Sequence, residues 1–341
     1  MSANPKAEPL LAAMSSTLQK NKRSRLSDYK WVNKVSDETW VAEILQCSDL
    51  KGLSKLSRTS TFFNKFWQRV KRACHDHIDV KQNAKNHISF RDSKIYLCCP
   101  TIERAMALVQ QILKMQSWKK ALPLVVTGIK PGQVRIVVGK GFHEIMDNGN
   151  TLNVNCSHIT FVGKGKDQTT IRGGFYVNNE LNVRFEGLTV TNPNKIGLNL
   201  RGSETTVDVL KCAVKECGWS GMYVSDGATV AATQCEFVEN GGNGVDCYGA
   251  NAKARLNDCT IHNNKFDGLN AYDDAVVDLR GTKTHIHSNE GDGILADFRG
   301  KVNIHLPYKH NISHDNGGQD RYQHSGGSIA NINTDGTFNT T

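Results

Sequence analysis

Apolar and polar residues alternate in short bursts along the second half of the chain, and the bursts recur. Five glycines, Gly197, Gly221, Gly244, Gly268 and Gly293, each open a similar stretch, at gaps of 24, 23, 24 and 25 residues. Nine residues before each stands a small or apolar residue: Leu188, Cys212, Cys235, Cys259, Thr284. Two residues after that comes Val190, Val214, Phe237, Ile261, Ile286, and three further on Pro193, Cys217, Asn240, Asn264, Asn289. Several columns in register at a fixed period define a repeat architecture. Runs of three to five residues with period two, separated by turn residues, predict strands rather than helices. A period near 24 with two or three short strands suits one coil of a parallel β-solenoid. Successive coils then lie about 4.8 Å apart, so equivalent residues stack. The cysteine column becomes an inward stack of thiols and the asparagine column a ladder at one turn.

The same alternation sorts residues by face. Directly after each glycine comes Leu198, Met222, Val245, Leu269 or Ile294, and two residues later Leu200, Val224, Cys247, Ala271 or Ala296. These point inward. Between and after them stand Asn199, Tyr223, Asp246 and Asn270, then Arg201, Ser225, Tyr248, Tyr272 and Asp297, which the strand period assigns to the outer face. Tyr223, Asp246, Tyr248, Asn270, Tyr272 and Asp297 are the candidate binding residues, an aromatic strip with interspersed polar groups.

Upstream the pattern changes. Residues 1–34 are polar and basic, with Lys20, Lys22, Arg23 and Arg25 clustered, and read as a disordered tail. Residues 35–73 show helical periodicity in three stripes: Trp40, Val41, Ile44 and Leu45; Leu50, Leu53 and Leu56; Phe62, Phe63, Phe66, Trp67 and Val70. Ser36, Ser48 and Ser60 are candidate N-caps. A trio this small cannot bury all these side chains alone, and the surplus suits a partner helix. Residues 74–121 read as a linker and a helix, whose stripe is Ile102, Ala105, Met106, Val109, Ile112 and Leu113. Such a helix would cover the open end of a solenoid. Coils begin irregularly over 122–196, with strands at 134–138, 152–154, 159–162, 170–171 and one run at 183–190. After Asp297 the period fades. The expected solenoid spans 122–325, with a flexible tail at 326–341.

Charge adds one distinction. The 341-residue chain carries a formal net charge of +9, and residues 1–100 hold 18 of its 42 Lys and Arg against 9 of its 33 Asp and Glu. The repeat region is therefore neutral, which argues against nucleic acid as its main ligand. Neither a secretory signal nor a membrane-length apolar run is visible, so the expected location is cytoplasmic or nuclear. The ten cysteines then read as small core residues in a reducing setting. Cys74, His75 and His77 lack a second ligand pair at zinc spacing, so no metal and no cofactor is expected.

Two stretches resemble known families. The run Ile159-Thr-Phe-Val-Gly-Lys-Gly-Lys-Asp-Gln-Thr-Thr-Ile, the helix before it and the later repeats resemble pectin-lyase-like right-handed β-helix proteins over about residues 100–325. Residues 35–73 resemble an F-box through Asp37-Glu38, Glu43-Ile44-Leu45, Asp49-Leu50, Leu53, Leu56-Ser57 and the aromatic third stripe. Val35-Ser36 stands where that family has Leu-Pro. The resemblances together imply a mainly β protein: a right-handed parallel β-helix behind an N-terminal helical F-box-like domain and a capping helix. They imply a substrate-recognition adaptor of a cullin–RING ubiquitin ligase, monomeric outside that complex. Ile44, Leu45, Leu50, Leu53, Leu56 and Phe63 would dock the Skp-type adaptor, and the β-helix would hold a target protein.

The alternatives are a carbohydrate-active or carbohydrate-binding β-helix and a structural repeat protein. Sugar hydrolysis needs two carboxylates across the bond. Asp273-Asp274 is the candidate pair, with Asp246 and Asp297 one coil to either side, but the family's Gly-His-Gly and Arg-Ile-Lys are absent. A lyase needs calcium-binding carboxylates beside a base, and no such cluster stands out. His262 and His287 share a column one coil apart and suit a catalytic or pH-sensing pair, or simply a polar edge. The expectation is a non-catalytic adaptor.

Overall fold

The computed structural model describes residues 78–81, 87–91, 94–117, 134–146, 149–305, 312–332 and 337–339. Over them the alternating bursts form three sheets that wind around one core. The first coil consists of Val134–Val138, Gly141–Glu144 and Thr151–Val154. The eighth consists of Lys301–Ile304, Ser313–His314 and Arg321–Gln323. Each coil strand pairs in parallel with its equivalents in the coils before and after; the first sheet has 13 strands, the outermost His87–Arg91 and Phe338–Asn339 being antiparallel, and the second and third have 8 each. The register is that of the sequence columns: Val190 on Val214 and then Phe237 in the second sheet, and Leu198 on Met222 and then Val245 in the third.

Several boundaries differ from the sequence reading. The run 183–190 is two strands, Val183–Glu186 in the first sheet and Thr189–Thr191 in the second. A corner at Gly187, where φ is +62°, separates them. Apolar residues at Val183, Phe185, Leu188 and Val190 on both sides hide such a corner, and Leu188 points inward between two sheets and is fully buried. Within the stretch read as a linker, Ile78–Val80 pairs in parallel with Val134–Val138, and with Lys94–Cys99 on its other side. Within the stretch read as a flexible tail, Ser328–Ile332 extends the first sheet beyond Lys301–Ile304.

The helix Ile102–Ser117 lies against Ile78–Val80, Lys94–Cys99 and Val134–Val138. Ile102, Ala105, Met106 and Val109 are buried and join the same core as the coils. Within the early coils Phe161, Phe175 and Phe185 pack together, with ring centroids 4.8–5.3 Å apart. Later coils fill the same space with Cys247, Ala271, Ala296 and branched residues such as Ile261 and Ile286. Cys212, Cys235 and Cys259 are buried free thiols in one column. Burial pushes the Cys212 thiol up to about 11, and those of Cys217 and Cys247 to about 12. Such thiols are inert packing groups rather than nucleophiles.

The asparagine column is a continuous ladder. Asn240 Nδ2 donates to Asn264 Oδ1 at 2.9 Å, Asn264 Nδ2 to Asn289 Oδ1 at 2.8 Å, and Asn289 Nδ2 to Asn316 Oδ1 at 2.9 Å. Each Oδ1 also accepts the backbone N–H of the preceding rung, beginning at Cys217. Asn316 extends the column one coil beyond the sequence reading. A 27-residue interval between paired Ile286 and Ser313 hides it, as does Asp320 standing where the other coils have glycine.

No helix among the described residues is long and apolar enough to cross a membrane. The F-box-like residues Ile44, Leu45, Leu50, Leu53, Leu56 and Phe63 lie outside the described residues, as do Cys74, His75 and His77.

Candidate functional site

Tyr223, Asp246, Tyr248, Asn270, Tyr272 and Asp297 share the outer face of the third sheet. Strands Met222–Ser225, Val245–Tyr248, Leu269–Tyr272 and Ile294–Asp297 carry them side by side. Their registers place Tyr223 beside Asp246 and Asp246 beside Asn270 in one column, and Tyr248 beside Tyr272 and Tyr272 beside Asp297 in the next. A strand's period of two turns the intervening Val224, Cys247, Ala271 and Ala296 into the core.

The aromatic rings stack on one another. Tyr223 and Tyr248 are 6.5 Å apart across the two columns, and Tyr248 and Tyr272 are 5.5 Å apart, both nearly parallel. Phe298 continues the row 4.9 Å beyond Tyr272. At the other end the Arg201 guanidinium lies 5.0 Å from the centre of the Tyr223 ring, a cation–π contact. The row runs along the face, with Tyr248 and Phe298 well exposed.

Ser225 was assigned to this outer face, yet it is 1% exposed. It stands between Arg201 and Tyr248 in its column. The diagonal stack of Arg201, Tyr223 and Tyr248 closes over so short a side chain, and its Oγ donates to Asp226 Oδ2 at 3.2 Å.

Asp246 is the most perturbed carboxyl on the face. Burial pushes it up to about 6, the Asp267 carboxylate adds to that, and hydrogen bonds from Asn243 and Asn270 oppose it. Asn270 Nδ2 donates to Asp246 Oδ1 at 3.2 Å, while Asn270 Oδ1 is buried without a hydrogen-bond partner. Asp267 is also raised by burial, although it accepts the Asp292 N–H at 2.8 Å. Asp297 Oδ1 accepts the Phe298 N–H at 2.7 Å and lies 3.0 Å from His324 Nδ1. The pair Asp273-Asp274 sits at the corner after this sheet, both residues at positive φ. Arg299 clamps Asp274 through Nε at 2.9 Å and Nη2 at 2.7 Å, and that ion pair holds the carboxyl below its usual range. Asp274 is thus engaged in bridging two coils.

Four residues of this region escaped the sequence reading: Trp219, Phe266, Asp267 and Phe298. Trp219 and Phe266 are 66% and 61% exposed and rim the face from the turn before it. Both stand two residues before a column glycine, a position that is Lys195, Gly242 and Gly291 in neighbouring coils. A large aromatic in an otherwise polar or glycine column is the signal that would have found them. Phe298 lies one residue past the repeat, where the periodicity stops. Among the described residues no group of three or more His, Cys, Asp or Glu is placed to hold a metal ion.

Residues 139–282 match a family model described as right handed beta helix region, in agreement with the parallel three-sheet winding. The chain thus contains a right-handed parallel β-helix. No curated protein matches it. Among solved structures, ORF18 of Geobacillus virus E2 is similar at a TM-score of 0.38 and 11% identity, over 74% of this chain and 69% of that one.

Proposed function

We propose that this protein is a non-catalytic recognition subunit whose β-helix holds a target protein on the outer face of the third sheet. The observation that carries this reading is the side-by-side placement of six candidate side chains on four adjacent strands. A row of tyrosines with polar groups between them suits a protein surface rich in hydrogen-bond partners.

The adaptor half of the reading rests on the F-box-like residues 35–73. They would dock a Skp-type adaptor, and through it a cullin ligase, by Leu50, Leu53 and Leu56 with Ile44, Leu45 and Phe63 beside them. Crosslinking of target to full-length protein tests the recognition face. Tyr248→Ala with Tyr272→Ala should cut capture at least tenfold, and undiminished capture would move the site to another face.

A carbohydrate-active reading is favoured by one feature. Burial raises the proton affinity of Asp246, as at the general acid of a sugar-cleaving site, and the Asp267 carboxyl adds to that shift. Turnover of polygalacturonate or alginate by the pure protein, lost in Asp246→Asn, would replace the recognition reading.

A further inference from the structure

On the outer face of the second sheet, strands Thr260–His262, His285–His287 and Ser313–His314 bring three imidazoles into one column. His262 and His287 stack at 5.0 Å with 3° between their planes, and His287 and His314 at 5.3 Å with 8°. His285, in the neighbouring column, meets His314 edge-on at 6.2 Å. We propose that this ladder is an acid-sensitive clasp, which holds coils six to eight together while its imidazoles are neutral and loosens them as it takes up protons.

The surroundings decide the sign. Burial pushes the His287 imidazole below its ordinary range, the charges of His262, His314 and His285 add to that, and Asp315 acts the other way. Asp315 Oδ2 lies 2.9 Å from His314 Nδ1, and Ser288 Oγ lies 3.1 Å from His287 Nδ1. The preceding strand of this sheet, Glu236–Val238, brings Val238 into the column and Glu236 beside it; Glu236 is paired with Lys166 at 3.0 Å. Glu239 follows that strand, and Lys215 stands one coil further back in the same column. The carboxylate beside the ladder itself is therefore Asp315, against as many as four imidazolium charges. A histidine with a lowered folded-state pKa binds a proton more readily when unfolded. Its stabilising effect is present above the unfolded value of about 6.5 and is lost as the pH falls through the lower folded value. Three imidazole–carboxylate contacts, His314 with Asp315 at 2.9 Å within the ladder, and His305 with Asp278 and His324 with Asp297 at 3.0 Å, gain attraction on protonation and work the other way. Raised Asp246 also favours the acid side, but it belongs to coil five.

In a solenoid each coil contacts only its neighbours, so an end opens by itself. Coils six to eight also carry Tyr272, Asp297 and His324 of the third-sheet face. Acid would therefore dismantle half of that face. This functional consequence rests on the recognition reading above, whereas the opening of the coils does not.

The test is hydrogen–deuterium exchange of the full chain at pH 7.5 and pH 5.0, corrected for the intrinsic pH dependence of exchange. Protection over residues 285–323 should fall at least tenfold more than over residues 159–191. The triple variant His262→Asn, His287→Asn, His314→Asn should lose that difference, and His287→Gln alone should reduce it. NMR titration of the imidazole Cε1–H signals should show His287 protonating at a lower pH than in a peptide bearing its sequence. An equal change in both segments, or a wild-type difference retained by the triple variant or by His287→Gln, would overturn the clasp. If the difference appears while target capture is the same at both pH values, the clasp stands and the assignment of the third-sheet face falls.

Discussion

At the scale of single residues, buried polar groups set the largest stakes. Asn264 sits mid-ladder with both its donor and its acceptor used across coils. Asn264→Ala leaves the buried Asn240 N–H without its acceptor, while Asn240 Nδ2 keeps the Val214 carbonyl and Asn289 Oδ1 keeps the N–H of residue 264. An orphaned buried group costs about 1–3 kcal/mol, so a loss of that order is expected. Urea unfolding should show it as a lower midpoint. Asp246 behaves in the opposite sense. Its folded pKa of about 6 exceeds the ordinary value for a carboxyl. The raised value means that its contribution is present at low pH and is lost as pH rises through about 6, by about 1.4 kcal/mol for each pKa unit. Asp246→Asn keeps an acceptor for Asn270 and removes the charge. It should raise the thermal midpoint at pH 7.5 and leave it nearly unchanged at pH 4. An equal effect at both values would mean that the carboxylate carries no burial strain.

At the scale of the element, the column glycines explain why the repeat could be read at all. A Cβ at Gly244 would lie 2.4 Å from Ile261 Cγ2, 2.7 Å from the Gly268 carbonyl oxygen and 2.8 Å from Asn264 Nδ2. Backbone and ladder both block it, so Gly244→Ala should destabilise the protein by about 1–3 kcal/mol, the cost of overpacking, as measured by thermal unfolding. Positions under such packing constraints repeat strictly, and they gave away the strands, the inward columns, the ladder and the outer face of the third sheet. Corners obey looser rules. Gly187 reads as part of a strand because buried Phe185 and Leu188 flank it closely. Trp219 and Phe266 stayed hidden because exposed turn positions vary from coil to coil. Ser225 was misplaced because alternation tells which way a side chain points but not whether Arg201 and Tyr248 close over it. The perturbed state of Asp246 depends on Asn243 in its own coil and on Asp267 and Asn270 one coil later, and no local pattern carries that.

At the scale of the whole molecule, the chain joins a solenoid with stacked columns to a basic N-terminal region of different character. The core runs from Ile78 to Ile312 as one continuous apolar filling, which would hold the proposed recognition face on one axis. The proposed adaptor function adds a division of labour, with the F-box-like stretch facing the ligase and the solenoid facing the target. Leu53 is the residue on which that division can be tested. It lies at the centre of the stripe Leu50, Leu53, Leu56 in the sequence pattern. Truncating a central apolar anchor commonly costs about 2 kcal/mol or more, roughly thirtyfold in affinity, and an aspartate there adds an unpaired charge to the interface. Leu53→Asp should therefore abolish co-elution with a Skp-type adaptor in size-exclusion chromatography, while the thermal unfolding of the solenoid stays where it is in the wild type. Val35-Ser36, in place of Leu-Pro, sets the expected wild-type affinity below that of a full F-box. Wild-type protein that fails to co-elute at micromolar concentration and low salt would remove the ligase reading and leave the third-sheet face as a recognition surface without a docking partner.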